Sequence, residues 1–210
     1  MSVLSFRVEK TCGPARSGVL ETPHGHIQTP AFMPVGTKGT VKGLVPPELK
    51  DAGVEILLCN AYHLWVRPGH GQIGQMGGLH NFMGWDGPIL TDSGGYQVFS
   101  LRDRTKVTED GVRFRSPHDG QYRTLTPEVS VDIQETLGVD IAMAFDECIE
   151  WPADRERVAR STARTTRWLK RCIAARRAPD KTALLGIVQG GFYEDLRAEH
   201  AQEIVDLDLD

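Results

Sequence analysis

The chain has 210 residues, 40% of them apolar and 25% charged, with a formal net charge of −4. That balance excludes a disordered, collagenous or coiled-coil chain, and it gives no overall pull toward nucleic acid. No stretch approaches the roughly 18 apolar residues of a membrane span. The first ten residues lack the apolar run of a secretory signal, so the expected compartment is the cytoplasm.

Taken in chain order, segments 5–9, 18–22 and 27–30, with a turn at Pro23-His24-Gly25-His26, read as a short antiparallel sheet. Five apolar, β-rich runs follow, at 30–35, 54–60, 88–91, 140–145 and 184–188. Helices are expected between them. Segment 46–52 opens on Pro46 and is followed by Gly53. Segment 70–83 is Gly-rich. Segment 126–137 has Thr126 as its cap, Pro127 and Glu128 in its first turn, and Gly138 past its end. Segments 154–177 and 193–206 complete the set. Residues 106–124 break the rhythm, with turns at Asp110-Gly111 and at 118–121. They read as a β-hairpin inserted near 105–125, after the third strand.

Strands alternating with helices predict an α/β fold, a parallel sheet with helices packed outside it. The sheet is either doubly wound or part of a (β/α)8 barrel. No G-x-G-x-x-G follows the first strand, which weakens the dinucleotide-binding version. Asn60, Asp92, Asp146 and Gln189 each follow one of strands two to five, the positions that converge on a barrel mouth. The expectation is therefore a small antiparallel sheet over 1–29 and, over 30–210, an incomplete TIM barrel with about five of eight units.

The densest chemical signal is Thr91-Asp92-Ser93-Gly94-Gly95-Tyr96-Gln97-Val98. Its acid ends a buried strand, its glycines let backbone approach a ligand, and Tyr96 suits stacking on a flat ring. It reads equally well as an Asp capping a turn. Phe145-Asp146-Glu147-Cys148 places two neighbouring carboxylates after another strand, and on extended chain only one of them faces a given site. The other, Glu147, reads better as a first-turn acid of the next helix. In Gly186-Ile187-Val188-Gln189-Gly190-Gly191 an amide that both donates and accepts suits a nucleobase edge, and a plain strand-to-helix turn fits as well. His63, in Asn60-Ala61-Tyr62-His63-Leu64, reads as a packed or surface histidine. The histidines show no metal-ligand spacing, and Cys12, Cys59, Cys148 and Cys172 form no C-x-x-C pair, so no metal site or disulfide framework is expected.

Segment 154–177 carries nine Lys/Arg against two acids. Arg157, Arg160, Arg164, Arg167 and Arg171 form one stripe at helical spacing, opposite Val158, Thr162, Thr165, Leu169 and Ile173. A solvated outer face is the favoured reading of the stripe, and a phosphate-tracking surface through Arg160, Arg164 and Arg167 is the alternative.

Together and in this order, Asn60-Ala-Tyr-His-Leu, Thr91-Asp-Ser-Gly-Gly-Tyr-Gln-Val, Ala144-Phe-Asp-Glu-Cys and Gly186-Ile-Val-Gln-Gly-Gly resemble the tRNA-guanine transglycosylase family, as does Thr29-Pro-Ala-Phe-Met-Pro-Val-Gly-Thr. The resemblance implies a TIM barrel with an added N-terminal sheet. It implies exchange of guanine at the tRNA wobble position for a 7-deazaguanine, on the way to queuosine. Asp92 would be the general acid/base, and Asp146 would read the Watson–Crick edge. Gln189 would meet the carbonyl side and Tyr96 would stack. Asn60 would hold the site's carboxylates, with Ser93, Gly190 and Gly191 among the substrate-binding residues. Cys148 is similar to the bacterial branch, which uses the aminomethyl base. The family's nucleophilic Asp and its structural zinc, on three cysteines and a histidine, are expected beyond residue 210. These 210 residues alone are therefore expected to be inactive and to hold no cofactor. The partners implied are tRNA, the incoming base and a second copy of the chain. Two other classes stay open: a non-catalytic accessory subunit, and an unrelated barrel glycosidase using Asp92 and Asp146.

Overall fold

The computed structural model describes residues 3–100 and 105–209. Strands β1 (Ser5–Cys12), β2 (Ala15–Thr22) and β3 (Gly25–Thr29) form an antiparallel sheet in that order. The β2–β3 pairing runs from Gly18↔Thr29 to Thr22↔Gly25, with Pro23 and His24 in the turn. Ile27 packs against Ile56 and Ile141, which stand at the starting ends of two strands of the second sheet.

That second sheet is parallel, built from β4 (Val35–Gly36), β5 (Leu57–Asn60), β6 (Ile89–Asp92), β10 (Ile141–Met143) and β11 (Ala183–Leu185), side by side in chain order. Helices connect its strands: α1 (Pro46–Asp51), α2 (Ala61–Val66), α3 (His70–Gln75), α4 (Gly78–Met83) and α5 (Gly95–Ser100) before the insertion, then α6 (Pro127–Leu137), α7 (Arg155–Ala175) and α8 (Glu194–Val205). Between α5 and α6, β7 (Thr105–Val107), β8 (Val112–Arg115) and β9 (Tyr122–Leu125) form a three-stranded antiparallel sheet. The two turns marked in the sequence thus join three strands, where a two-stranded hairpin was expected.

The expected helix over 70–83 is two helices. Gly77 and Gly78 both adopt φ +90°, a conformation that interrupts a right-handed helix and that L side chains rarely adopt. Helices α2 and α5 are additions to the expected set. Each is six residues long and follows a strand within two residues, too short to show helical periodicity. The paired strands are also shorter than the apolar runs. The run at 140–145, for example, pairs only over Ile141–Met143.

Buried hydrogen bonds hold the strand ends in place. Gln134 of α6 accepts from the Thr91 hydroxyl at 2.9 Å and from the Met143 N–H at 2.9 Å, and donates to the Met143 carbonyl at 3.0 Å. One amide thereby ties β6 to β10. The Ser130 hydroxyl donates to the Ser93 carbonyl at 2.8 Å. Phe145 stacks on Trp168 of α7, ring centroids 4.8 Å apart, and both are fully buried. The buried face of α7 also takes in Ser161, Trp168 and Cys172, so it is wider than the apolar stripe suggests.

Candidate functional site

The site lies at the C-terminal ends of β5, β6 and β10. Asn60 and Asp92 are paired residues at the ends of adjacent strands, and the Asn60 amide donates to Asp92 Oδ2. The same oxygen accepts from Gln97 Nε2 at 2.8 Å. Asp92 Oδ1 accepts from the backbone N–H of Ala61 at 3.0 Å and of Gly94 at 3.2 Å. Burial pushes the Asp92 carboxyl above its ordinary pKa, and these four donors only partly oppose the shift.

Asp146 is more deeply buried. Its Oδ1 accepts from the Ser93 hydroxyl at 3.0 Å, and its Oδ2 accepts from Gln189 Nε2 at 2.7 Å and from the Cys148 thiol at 3.6 Å. Burial again raises its pKa, with Ser93, Gln189 and Cys148 opposing. Burial and the neighbouring Asp146 charge push the Cys148 thiol far up, so it stays protonated and donates. Asp146 and Glu147 do point apart, as extended chain requires. Glu147 turns to α7, where Arg157 Nη2 reaches Oε1 at 2.8 Å and Arg164 Nη1 reaches Oε2 at 2.5 Å.

The glycines permit this closeness. A Cβ on Gly95 would lie 2.8 Å from Asp146 Oδ1, so any side chain there would collide with the buried carboxylate. Gly190 has φ +113°, and a Cβ on it would lie 2.6 Å from the Arg197 backbone nitrogen, so it serves the β11–α8 turn, as does Gly191 at φ +56°. The Gln189 N–H donates to His200 Nδ1 at 2.8 Å, which fixes the backbone from which the amide reaches Asp146.

Tyr96 is 66% exposed, with its ring free to cover a flat ligand. Beside it lies a cavity of about 280 Å³ lined by Tyr96, Cys148, Trp151, Gln189 and Phe192, among others. Trp151 and Phe192, both exposed, pair at 4.3 Å between ring centroids. Sequence reading missed Gln97, His200, Trp151 and Phe192. Gln97 alone had a signal, standing five residues after Asp92 in the same motif.

The arginine stripe reaches these residues only through Glu147 and is largely matched by acids. Arg160 pairs with Glu156 at 2.5 Å, Arg164 with Glu147 and Glu109, Arg167 with Glu109 at 2.6 Å, and Arg171 with Glu128 at 2.7 Å. A second cluster forms at the opposite end of the parallel sheet. His24, His80 and Asp140 place their ligand-type atoms within 4.8 Å of one another, a grouping their sequence spacing did not suggest. Their own hydrogen bonds account for it. Asp140 Oδ1 accepts from the His24 ring at 2.8 Å and the His24 N–H at 3.1 Å, and Oδ2 accepts from the His80 ring at 3.2 Å and the Ile89 N–H at 2.8 Å. No helix among the described residues is long and apolar enough to cross a membrane.

The sequence profile of the family described as Queuine tRNA-ribosyltransferase matches residues 11–210. The chain is 53% identical over 211 residues to a queuine tRNA-ribosyltransferase of Halalkalibacterium halodurans, covering 100% of this chain and 56% of the relative. It is 54% identical over 210 residues to the protein of that name from Nostoc sp., covering 99% of this chain and 56% of the relative. The Acetivibrio thermocellus protein of that name is 53% identical over 211 residues. The chain thus spans a little over half the length of the curated relatives it matches.

Proposed function

This chain belongs to the queuine tRNA-ribosyltransferase family, and from that premise we propose that it carries the purine-recognition and proton-transfer half of a tRNA-guanine transglycosylase. On this reading the parallel strands are the first five of a (β/α)8 barrel. Residues 1–29 are its added sheet, residues 30–210 its partial barrel, and 105–125 its insertion. The observation that carries the proposal is the pair of buried carboxyls at neighbouring strand ends, both raised in pKa by burial, with Gln189 and the exposed Tyr96 beside them.

Displacing a base from ribose passes through an oxocarbenium-like state, which asks for one group attacking C1′ and one handling the purine's proton. Asp92, with its raised pKa, takes the second role, delivering a proton to the departing guanine and recovering one from the incoming base. Ionised Asp146 accepts from the purine's N1–H and its exocyclic amine, a donor pair that adenine lacks. The protonated Cys148 and Gln189 keep that carboxylate oriented, Gln189 adds a contact to the carbonyl side of the base, and Tyr96 covers its face. Ser93, Gly190 and Gly191 shape the pocket, and Asn60 steadies Asp92. The attacking Asp and the zinc ligands belong to the part of the family's length that lies beyond residue 210, so no step here is assigned to them. The tRNA, a 7-deazaguanine and a second copy of the chain are the partners of this reading.

Family membership sets aside an unrelated glycosidase, and the joint presence of Asp92, Asp146 and Gln189 supports a catalytic chain over an accessory one. The test is calorimetry of this chain with guanine and with adenine. Guanine binding that is lost in Asp146→Asn, with no adenine binding, is expected, and equal affinity for the two purines would overturn the reading. Labelled-guanine exchange into tRNA, with the chain continued by the remainder of the Nostoc relative, tests the catalytic step.

A further inference from the structure

Among the described residues, the outer face of the inserted sheet presents cations without acids to match them. On β8, Val112 and Phe114 are buried while their alternates Arg113 and Arg115 are exposed. Lys106 of β7 stands opposite Arg113, and Tyr122 of β9 stands opposite Arg115. Cross-strand partners share a face, so the four side chains form one patch. The Arg113 guanidinium lies over the Tyr122 ring, 4.6 Å from its centroid, and Arg115 Nε donates to the Gly120 carbonyl at 2.9 Å. All four residues line a cleft of about 800 Å³ in which no carboxylate takes part. The acids of the insertion that form ion pairs do so elsewhere, Glu109 with Arg164 and Arg167 and Asp119 with Arg123. Among the described residues, Lys106, Arg113 and Arg115 have no ion-pair partner.

We propose that this face binds the sugar-phosphate backbone of an RNA, with Lys106, Arg113 and Arg115 on phosphates and Tyr122 as a stacking platform. Charge complementarity is one argument. Unmatched cations bind a polyanion by releasing its counterions, whereas the matched arginines of α7 would first have to give up their carboxylates. Continuity with the base site is the other. Thr105 lines both this cleft and a second cavity, of about 290 Å³, that is also lined by Asp146, Glu147 and Cys148. A strand held on the sheet therefore has a path toward the purine pocket. The proposal rests on the transglycosylase reading for which RNA is bound, and on the sheet face itself for how it is bound.

The experiment is fluorescence anisotropy of this chain with an anticodon stem-loop RNA carrying guanine at the wobble position, over a range of salt. The parent should bind with a clear salt dependence. Lys106→Gln with Arg113→Gln should weaken binding at least tenfold at low salt and make the slope of log affinity against log salt shallower by roughly 1.5, as expected for two lost phosphate contacts. Tyr122→Ala should weaken binding without changing the slope. Arg160→Gln with Arg164→Gln and Arg167→Gln should leave the slope as it is, and unchanged circular dichroism checks the fold of each variant. An unchanged slope in the sheet variant, no RNA binding by the parent, or equal competition by polyglutamate would overturn the proposal. Guanine binding reports separately on the purine pocket. Its absence, with RNA binding still lost in the sheet variant, would sink the transglycosylase reading and leave the sheet surface standing.

Discussion

The two ends of the parallel sheet bury carboxyls whose pKa values are shifted in opposite directions. Asp140, at the starting end of β10, accepts four hydrogen bonds, two of them from imidazoles that stack at 3.7 Å between ring centroids. Burial pushes its carboxyl up, but the hydrogen bonds from His80, Ile89 and His24, with the charge of His24, hold it below the ordinary value. Asp92 and Asp146, at the finishing ends of β6 and β10, have donors on both oxygens, yet those donors are amides, a hydroxyl, a thiol and backbone N–H groups. Burial prevails there and the carboxyls rise. The number of hydrogen bonds is thus a poor guide to a buried acid. Whether any donor can carry positive charge decides the direction of its shift. One end of the sheet is a clasp that holds the N-terminal sheet to the parallel strands, and at the other burial favours the protonated form of the carboxyls.

The sharpest way to break the comparison is to remove the clasp. Asp140→Ala leaves two imidazoles and two backbone N–H groups without their acceptor, and should cost about 3–5 kcal/mol in urea unfolding. A loss below about 1 kcal/mol would show that the clasp adds nothing. The opposite end should respond in activity and keep its fold. In a chain continued to the length of its relatives, Asp92→Asn should reduce base exchange to less than a tenth of the parent rate, since an amide matches the shape and cannot carry the proton. Exchange above that level would remove Asp92 from the acid/base role. Asp146→Asn should lower guanine affinity by about 1.5–3 kcal/mol, read by calorimetry, because a donor then faces the purine's own donors.

The smallest effects are in pH dependence, and their signs differ between the two ends. The Asp140 pKa is lowered in the fold, so its contribution to stability is present above the unfolded value of 3.8 and is lost as pH falls through the lower folded value. Asp146 is raised, so its contribution is most favourable below 3.8 and declines as pH rises through the folded value. Melting curves of Asp140→Asn should lack the acid-side decline, and those of Asp146→Asn should lack the rise-side penalty. Guanine affinity should increase with pH across the Asp146 titration, because the ionised carboxylate accepts from both purine donors. An affinity independent of pH would place the purine elsewhere.

Much of this was written in local chemistry. Helix α6 begins at its Thr126 cap and ends at Gly138, because both signals act within a turn of chain. The polar residues that close the strands, Asn60, Asp92 and Asp146, were legible because an apolar run forces the next polar side chain toward the sheet's end. Helices α2 and α5 were not legible, being too short to show a period.

What the sequence determined by itself was the order of strands and helices, the strand-end acids and the family they mark, all of which follow from neighbours a few residues apart. Only the tertiary structure decided which charges are matched. The stripe of α7 reads in the sequence as a run of cations, and two of them are matched by Glu109, which lies 55 positions from Arg164 and 58 from Arg167. Arg113 and Lys106, with no more local signal, are left without an ion-pair partner among the described residues. The Asp140 carboxyl is held below its ordinary pKa by His24, 116 residues away, and His80, 60 residues away. Charge pairing falls off over a few ångströms in space and takes no account of separation along the chain, so only folding can assign it.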